Sequence, residues 1–249
     1  MDRQPTAGVE PLVCALVLAG GQGMRVGGTV PKQFVDVGGR PVVAHTMAVF
    51  QSEPTVSHIH VVCAPAWQTF VRRAAGEAGV DKLRTLPEAG DTGIHSLLNG
   101  LQVLSDFYAG EEPEHVWVMT HDSVRPLLTP ALIRANLDVM RRSGNAITAI
   151  QSPEAYMLSA DGIQSRELVE REVLWRAQTP MTFTLGFLQR TLLRPWREGT
   201  LPPSQSLYTL VRLLCPSMPL FIAPGSPLNF KLTTAEDLHT LEKLLSREG

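Results

Sequence analysis

Apolar positions along this chain come in two kinds of run, and the two alternate. Residues 12–19 (LVCALVLA) are continuously apolar, the pattern of a parallel strand covered on both faces, and they lead directly into a glycine-rich turn. A helix is expected over 41–50, with Pro41 at an early helical position. Residues 58–64 (HIHVVCA) are β-branched and apolar, and a helical stretch follows around 66–78. A short strand is expected at 83–87. Over 93–107, Leu97, Leu98, Leu101 and Leu104 recur at helical spacing. Residues 116–120 form another buried strand, ending in the polar His121-Asp122-Ser123; 132–142 reads as helix and 146–150 as extended chain.

This alternation predicts an α/β fold with an open, mostly parallel, Rossmann-like sheet. Residues 151–176 break the rhythm. They are polar, with Asp161-Gly162 as a hairpin turn between short extended pieces, and are expected to protrude as a β-arm. The rhythm resumes with a helix at 182–193, strands at 220–223 and 230–233, and a helix at 234–247. Thr234 is the N-cap of that last helix and Asp237 its partner in a variant capping box. There is no internal repeat or long linker. The expectation is a single domain, 1–249, with 151–176 as its arm.

Composition narrows the class. The chain has 249 residues, 44% hydrophobic and 18% charged, which supports a folded core. A net charge of -2 argues against an extended nucleic-acid surface but not against a local basic pocket. No apolar run reaches the roughly 18 residues of a membrane span. Residues 1–11 carry Asp2 and Glu10 without an apolar stretch, unlike a signal peptide. Cys14, Cys63 and Cys215 are widely spaced in apolar runs and suit buried thiols of a reducing compartment. A cytoplasmic protein that binds no nucleic acid and no membrane is expected.

The most informative segment is 18–34, LAGGQGMRVGGTVPKQF. Glycines let backbone N–H groups approach phosphate oxygens closely, and Arg25 and Lys32 can neutralise a chain of phosphates. It matches neither the dinucleotide fingerprint nor a P-loop, since no Gly-Lys-Ser/Thr ends it. Taken alone, such glycine clustering also fits a surface loop with solvated cations. The coupling to Arg25 and to Pro31-Lys32-Gln33-Phe34 favours phosphate binding.

LAGGxGxR followed by PKQF resembles the nucleotidyltransferases that make activated sugars and alcohols. More narrowly, it resembles the cytidylyltransferases acting on 2-C-methyl-D-erythritol 4-phosphate or ribitol 5-phosphate. Gly90-Asp91 with Ser96, the strand end Thr120–Pro126 (THDSVRP), Gln178-Thr179-Pro180 and Asn229-Phe230-Lys231-Leu232-Thr233-Thr234 resemble further family segments in the same order. The resemblance implies the nucleotidyltransferase fold and attack of an acceptor phosphate oxygen on the α-phosphorus of CTP, with pyrophosphate leaving. No general base is needed, because a phosphate monoester is largely ionised near neutral pH.

By that resemblance Arg25, Lys32 and Lys231 are catalytic, stabilising the charge of the reacting phosphates. The backbone of Leu18, Ala19, Gly20, Gly21 and Gly23 would read the cytosine, with Asp91 and Ser96 holding base and ribose. Asp122, at the end of a central strand, would hold Mg²⁺, an ion that prefers oxygen ligands. Its other reading is a cap or a partner for Arg125. Arg171 and Lys231 would bind the acceptor phosphate, beside Asn229, with the arm carrying Arg171 to the neighbouring subunit of a homodimer. His121 reads as a structural hydrogen-bonding residue.

Several positions depart from the family pattern. Gly93 stands where the family has an arginine, and His95 where it has an acidic residue. Tyr156 stands for an arm threonine, Leu207-Tyr208 for a Thr-Asp pair by ungapped counting, and Leu228 for an acidic residue. The donor half of the site is thus kept and the acceptor half altered. Two readings follow: a cytidylyltransferase with a shifted polyol-phosphate specificity, or a catalytically silent homologue that binds nucleotide or serves as a dimer partner.

Overall fold

The computed structural model describes residues 10–21, 30–204 and 206–245. The first strand, β1 (Leu12–Leu18), is buried on both faces. Val13, Ala15 and Val17 enter one apolar cluster, and Cys14 and Leu16 enter another on the opposite side. Each such burial contributes about 1.5–3 kcal/mol for a large aliphatic side chain. A one-turn 3-10 helix (Lys32–Phe34) and the short pair β2 (Asp36–Val37) and β3 (Arg40–Pro41) lead to α1 (Val42–Ser52). Then follow β4 (His58–Val62), α2 (Pro65–Glu77), β5 (Leu83–Thr85) and α3 (Gly93–Phe107). The next elements are β6 (Val116–Asp122), α4 (Pro130–Ser143) and β7 (Ala146–Gln151).

Beyond β7 the chain leaves the sheet. A turn closed on Asp161, whose Oδ1 accepts from the N–H groups of Ile163 and Gln164, and an antiparallel bridge between Leu158 and Glu167 shape the arm. The arm exposes Met157, Ile163 and Leu168. The chain returns as β8 (Trp175–Thr184) and enters α5 (Leu185–Leu188). A π-turn at Gln189–Leu193 carries it on into α6 (Arg194–Arg197). It ends with α7 (Leu207–Leu214), β9 (Ile222–Pro224) and α8 (Ala235–Leu245).

The seven-stranded sheet has the order β5-β4-β1-β6-β8-β7-β9. Among the described residues β8 alone runs against the other strands. Helices cover both faces, as the continuous apolar strands require. The open, mostly parallel α/β sheet and its protruding arm are therefore present. Cys14 and Cys63 are buried, Cys215 is half-buried, and all three are free.

Two expected elements are corrected, and one unexpected helix is added. The helix expected at 182–193 begins only at Leu185, because β8 continues to Thr184. β6 pairs with residues 181–184 and β7 with 181–182, which holds them in extended form, and the Thr184 hydroxyl then caps α5 by accepting from the Phe187 N–H. The strand expected at 230–233 does not form. Its Leu232 is buried and donates to the Val124 carbonyl, but no ladder develops along it. Helix α7 was not anticipated, although Ser206 before Leu207, Leu210 and Val211 is a legible N-cap. The last helix carries the expected reciprocal cap: Asp237 accepts from the Thr233 and Thr234 N–H groups, and Thr234 Oγ1 accepts from Asp237 N–H.

Candidate active site

The site forms where the connections from β1 and β6 diverge. Strand β1 lies between β4 and β6, so its chain exit and that of β6 leave a crevice at their C-terminal ends, the usual ligand position in open α/β sheets. Leu18 and Asp122 are register partners there, and Ser123 N–H donates to the Leu18 carbonyl at 3.0 Å. The cleft measures about 690 Å³. Its wall combines Leu18, Gly20 and Gly21, Lys32, the start of α3, the end of β6, part of β8, and Tyr208 and Lys231.

The Pro-Lys-Gln-Phe segment divides its labour. Phe34 is buried, stacked on Trp67 with ring centroids 4.4 Å apart and edge-on to Phe70, which anchors the 3-10 turn. Gln33 Nε2 donates to the carbonyls of Ala19 (2.8 Å) and Gly21 (2.7 Å), fixing the exit of β1. Lys32 is left on the cleft wall. Gly20 is required for close approach: a Cβ there would lie 2.5 Å from Ala89 Cβ and 2.8 Å from Ser96 Oγ.

Ser96 is buried and clamps the turn before α3, accepting from Gly90 N–H (3.1 Å) and donating to its carbonyl (3.3 Å). Thr92 caps α3, and Gly93 and Ile94, the helix's first residues, face the cleft. The partial positive charge of a helix N-terminus therefore faces the cleft at Gly93. Asp91 is exposed and is not part of the cleft wall.

Asp122 is the acidic residue of the cleft wall, and it is held by two cations. Its Oδ2 lies 3.2 Å from Arg125 Nε and 3.2 Å from Lys231 Nζ. Burial opposes its ionisation, but Lys231 and Arg125 outweigh that and hold the carboxyl below its usual range. Arg125 also donates to the Asn229 carbonyl at 2.8 Å. The neighbouring His121 is fully buried, and burial pushes its imidazole down to about 4. Its Nε2 lies 3.2 Å from the Arg125 carbonyl and therefore donates; its Nδ1 then accepts from the Thr179 hydroxyl at 3.0 Å. Thr179 Oγ1 in turn accepts from Asp122 N–H. His121 thus positions the strand end, in keeping with the structural role expected of it.

Asn229 sits behind the wall, fully buried, its Nδ2 donating to the Thr179 carbonyl at 2.7 Å. Leu228 beside it is exposed. Gln178 holds the turn at Ser226 through both ends of its amide, and Gly225 is needed there because a Cβ would meet Gln178 Oε1 at 2.6 Å and the Ala149 carbonyl at 2.9 Å. Arg171 lies on the arm, paired with Glu172 at 3.7 Å and away from the cleft wall of its own chain; Tyr156 is likewise exposed on the arm. Gly23 and Arg25 fall outside the described residues. Sequence reasoning missed Gln178 as a wall-builder and the start of α7, where Ser206, Leu207 and Tyr208 line the cleft.

The carboxylate content bears on a metal. Asp122 is the cleft's acidic group, and no cluster of three His, Cys, Asp or Glu residues occurs among the described residues. That donor set suits an ion such as Mg²⁺, which keeps most of its shell from water and substrate oxygens, better than a protein cage. No helix among the described residues is long and apolar enough to cross a membrane.

Comparison with known proteins agrees with the fold. A curated 2-C-methyl-D-erythritol 4-phosphate cytidylyltransferase of Syntrophotalea carbinolica is 33% identical over 241 residues, covering 95% of this chain and 97% of that protein. A ribitol-5-phosphate cytidylyltransferase of Streptococcus agalactiae serotype V is 27% identical over 230 residues, covering 92% and 93%. Among solved structures, the 2-C-methyl-D-erythritol 4-phosphate cytidylyltransferase of Thermus thermophilus superposes with a TM-score of 0.69 at 26% identity, covering 96% of this chain and all (100%) of that one. The 4-diphosphocytidyl-2C-methyl-D-erythritol synthase of Anaerococcus prevotii shares the fold, with a TM-score of 0.78 at 20% identity, covering 95% and 97%. The family model described as IspD, 2-C-methyl-D-erythritol 4-phosphate cytidylyltransferase, matches residues 13–247, and the chain belongs to that family of nucleotidyltransferases.

Proposed function

We propose that this enzyme, a cytidylyltransferase that moves CMP from CTP to a phosphorylated polyol with release of pyrophosphate, takes an acceptor of the ribitol 5-phosphate or 2-C-methyl-D-erythritol 4-phosphate type. The observation that carries this reading is the cleft at the switch point, where a glycine-lined strand exit, Lys32, the N-terminus of α3 and the Asp122–Lys231 pair face one hollow of about 690 Å³.

The triphosphate lies along the β1 exit and the start of α3, where backbone N–H groups and Lys32 offset its charge. An acceptor phosphate oxygen forms the new bond to the α-phosphorus as the bond to the bridging oxygen breaks and pyrophosphate departs. In-line positioning and charge neutralisation are what the reaction needs, and Lys32, Arg25 and Lys231 supply the charge. Asp122 orients Lys231 and would hold Mg²⁺, which when bound withdraws charge from the triphosphate oxygens. Leu18 to Gly21, with Gly23, read the base, and Ser96 shapes the base and ribose end.

The acceptor side is completed by a second subunit. The arm's exposed Met157, Ile163 and Leu168 need cover, and Arg171 lies off the cleft wall of its own chain, so a homodimer that lends Arg171 to the neighbouring site accounts for both. The protein acts in the cytoplasm, on small molecules and without nucleic acid.

Purified protein supplied with CTP, Mg²⁺ and a panel of polyol phosphates releases pyrophosphate with at least one acceptor. Binding of CTP without turnover on any of them would establish the silent homologue instead.

A further inference from the structure

Beside the main cleft opens a second hollow of about 490 Å³, which shares Arg125, Lys231 and Thr233 with it and adds Arg176, Phe230 and Asp237. Its charges are unequally committed. Asp237 is occupied by the start of α8: its Oδ2 accepts from Thr233 N–H (2.6 Å), Thr234 N–H (2.8 Å) and Thr233 Oγ1 (2.9 Å). Lys231 and Arg125 both face Asp122, and Arg125 also serves the Asn229 carbonyl. The Arg176 side chain makes no hydrogen bond or ion pair with any described residue. It lies opposite Ile150 in the sheet and lines the second hollow, while the next two residues of β8, Ala177 and Gln178, line the main cleft.

We propose that Arg176 is a specificity-determining residue for the acceptor: its guanidinium grips the phosphate of the polyol phosphate at the boundary of the two hollows. This rests on the cytidylyltransferase reading and deepens it. The reacting phosphate must reach the α-phosphorus in the main cleft, which places it near Lys231, the cation common to both spaces. An arginine fork binds two phosphate oxygens and leaves the third free to attack, whereas a lysine offers a point charge. The polyol carbons then extend into the second hollow, against Phe230 and the Thr233 hydroxyl.

The test compares wild type, Arg176→Ala and Arg176→Lys with D-ribitol 5-phosphate and 2-C-methyl-D-erythritol 4-phosphate as acceptors at saturating CTP. The alanine variant raises the acceptor KM at least about tenfold, equivalent to about 1.4 kcal/mol, while the CTP KM and kcat stay within about twofold. The lysine variant recovers part of the loss, and the melting temperature is unchanged because the side chain is exposed. Calorimetry with the acceptor alone reads the same contact without turnover, as a weaker acceptor affinity in the alanine variant. An unchanged acceptor KM and affinity in that variant overturns the inference. Wild-type protein that binds both acceptors and CTP yet releases no pyrophosphate overturns the catalytic reading instead, and the acceptor affinities still decide the role of Arg176.

Discussion

The ammonium of Lys231 stands 3.2 Å from Asp122 Oδ2, the same oxygen that Arg125 approaches at 3.2 Å. One carboxylate at the end of β6 therefore gathers two cations that arrive from separate parts of the chain. The Arg125–Asn229 hydrogen bond and the Leu232–Val124 main-chain bond secure the same crossing. Asp122→Ala removes the hub. Turnover is expected to fall by about 10²-fold or more, since Lys231 loses its orientation and the proposed metal its protein ligand. Stability falls on the order of 1 kcal/mol, because Arg125 stays mostly buried without its charge partner. Pyrophosphate release and a denaturant midpoint measure the two effects, and a variant with full activity would remove Asp122 from the mechanism.

Lys32→Ala separates chemistry from folding. Phe34 and Gln33 anchor the turn through ring stacking and two hydrogen bonds to the β1 exit, so the fold is expected to keep its melting temperature. The rate falls by about 10²-fold or more through loss of charge stabilisation on the reacting phosphates. Thermal melting run beside steady-state kinetics checks both halves.

The opposite end of the sheet carries a polar cluster that sets an acid-side stability limit. His60 is buried between Thr85 Oγ1 (2.7 Å) and Tyr108 OH (3.0 Å), with His58 also on Tyr108, and Arg84 and Cys14 nearby. Burial, then the charges of His58 and Arg84, push the His60 imidazole down to about 3. Its folded pKa lies below the unfolded one, so from about 6.5 downward the unfolded chain binds more protons. Stability is therefore full above about pH 6.5 and is lost on acidification through the window down to the folded pKa. Replacing His60 with Gln is expected to flatten the decline between about pH 7 and about pH 4, read from urea midpoints. A slope equal to that of the wild type would show that this histidine does not set it.

Light scattering tests the arm. Dimers are expected at micromolar concentration, and Ile163→Asp with Leu168→Asp shifts the mass to that of one chain, because each charge would be desolvated on docking. A wild-type monomer at high concentration would leave Arg171 without a site to complete.

Much of this was legible in the chain itself. Strands β1, β4 and β6 are apolar enough to require cover on both faces, and with intervening amphipathic stretches that dictates a parallel sheet whatever the details. The Gly-rich exit of β1, Lys32 and the Asp122 strand end could be located because each depends on local backbone: a turn needing glycine, a one-turn helix, a strand terminus. The end of β8 was not legible. Residues 181–184 alternate like a strand but adjoin a helical pattern, and only their two neighbouring strands decide the outcome.

The sequence by itself thus determined the layered α/β architecture and the inventory of residues proposed to bind phosphate, because periodicity and turn chemistry act over a few residues. The tertiary structure decided which of them meet. It brought Lys231 and Arg125 onto one carboxylate, set Asn229 behind the wall and Gln178 in it as braces, turned α7 and Tyr208 toward the cleft, and left Arg176 facing the adjoining hollow. Charge pairing and packing of this kind depend on distances across the sheet, which no spacing along the chain encodes.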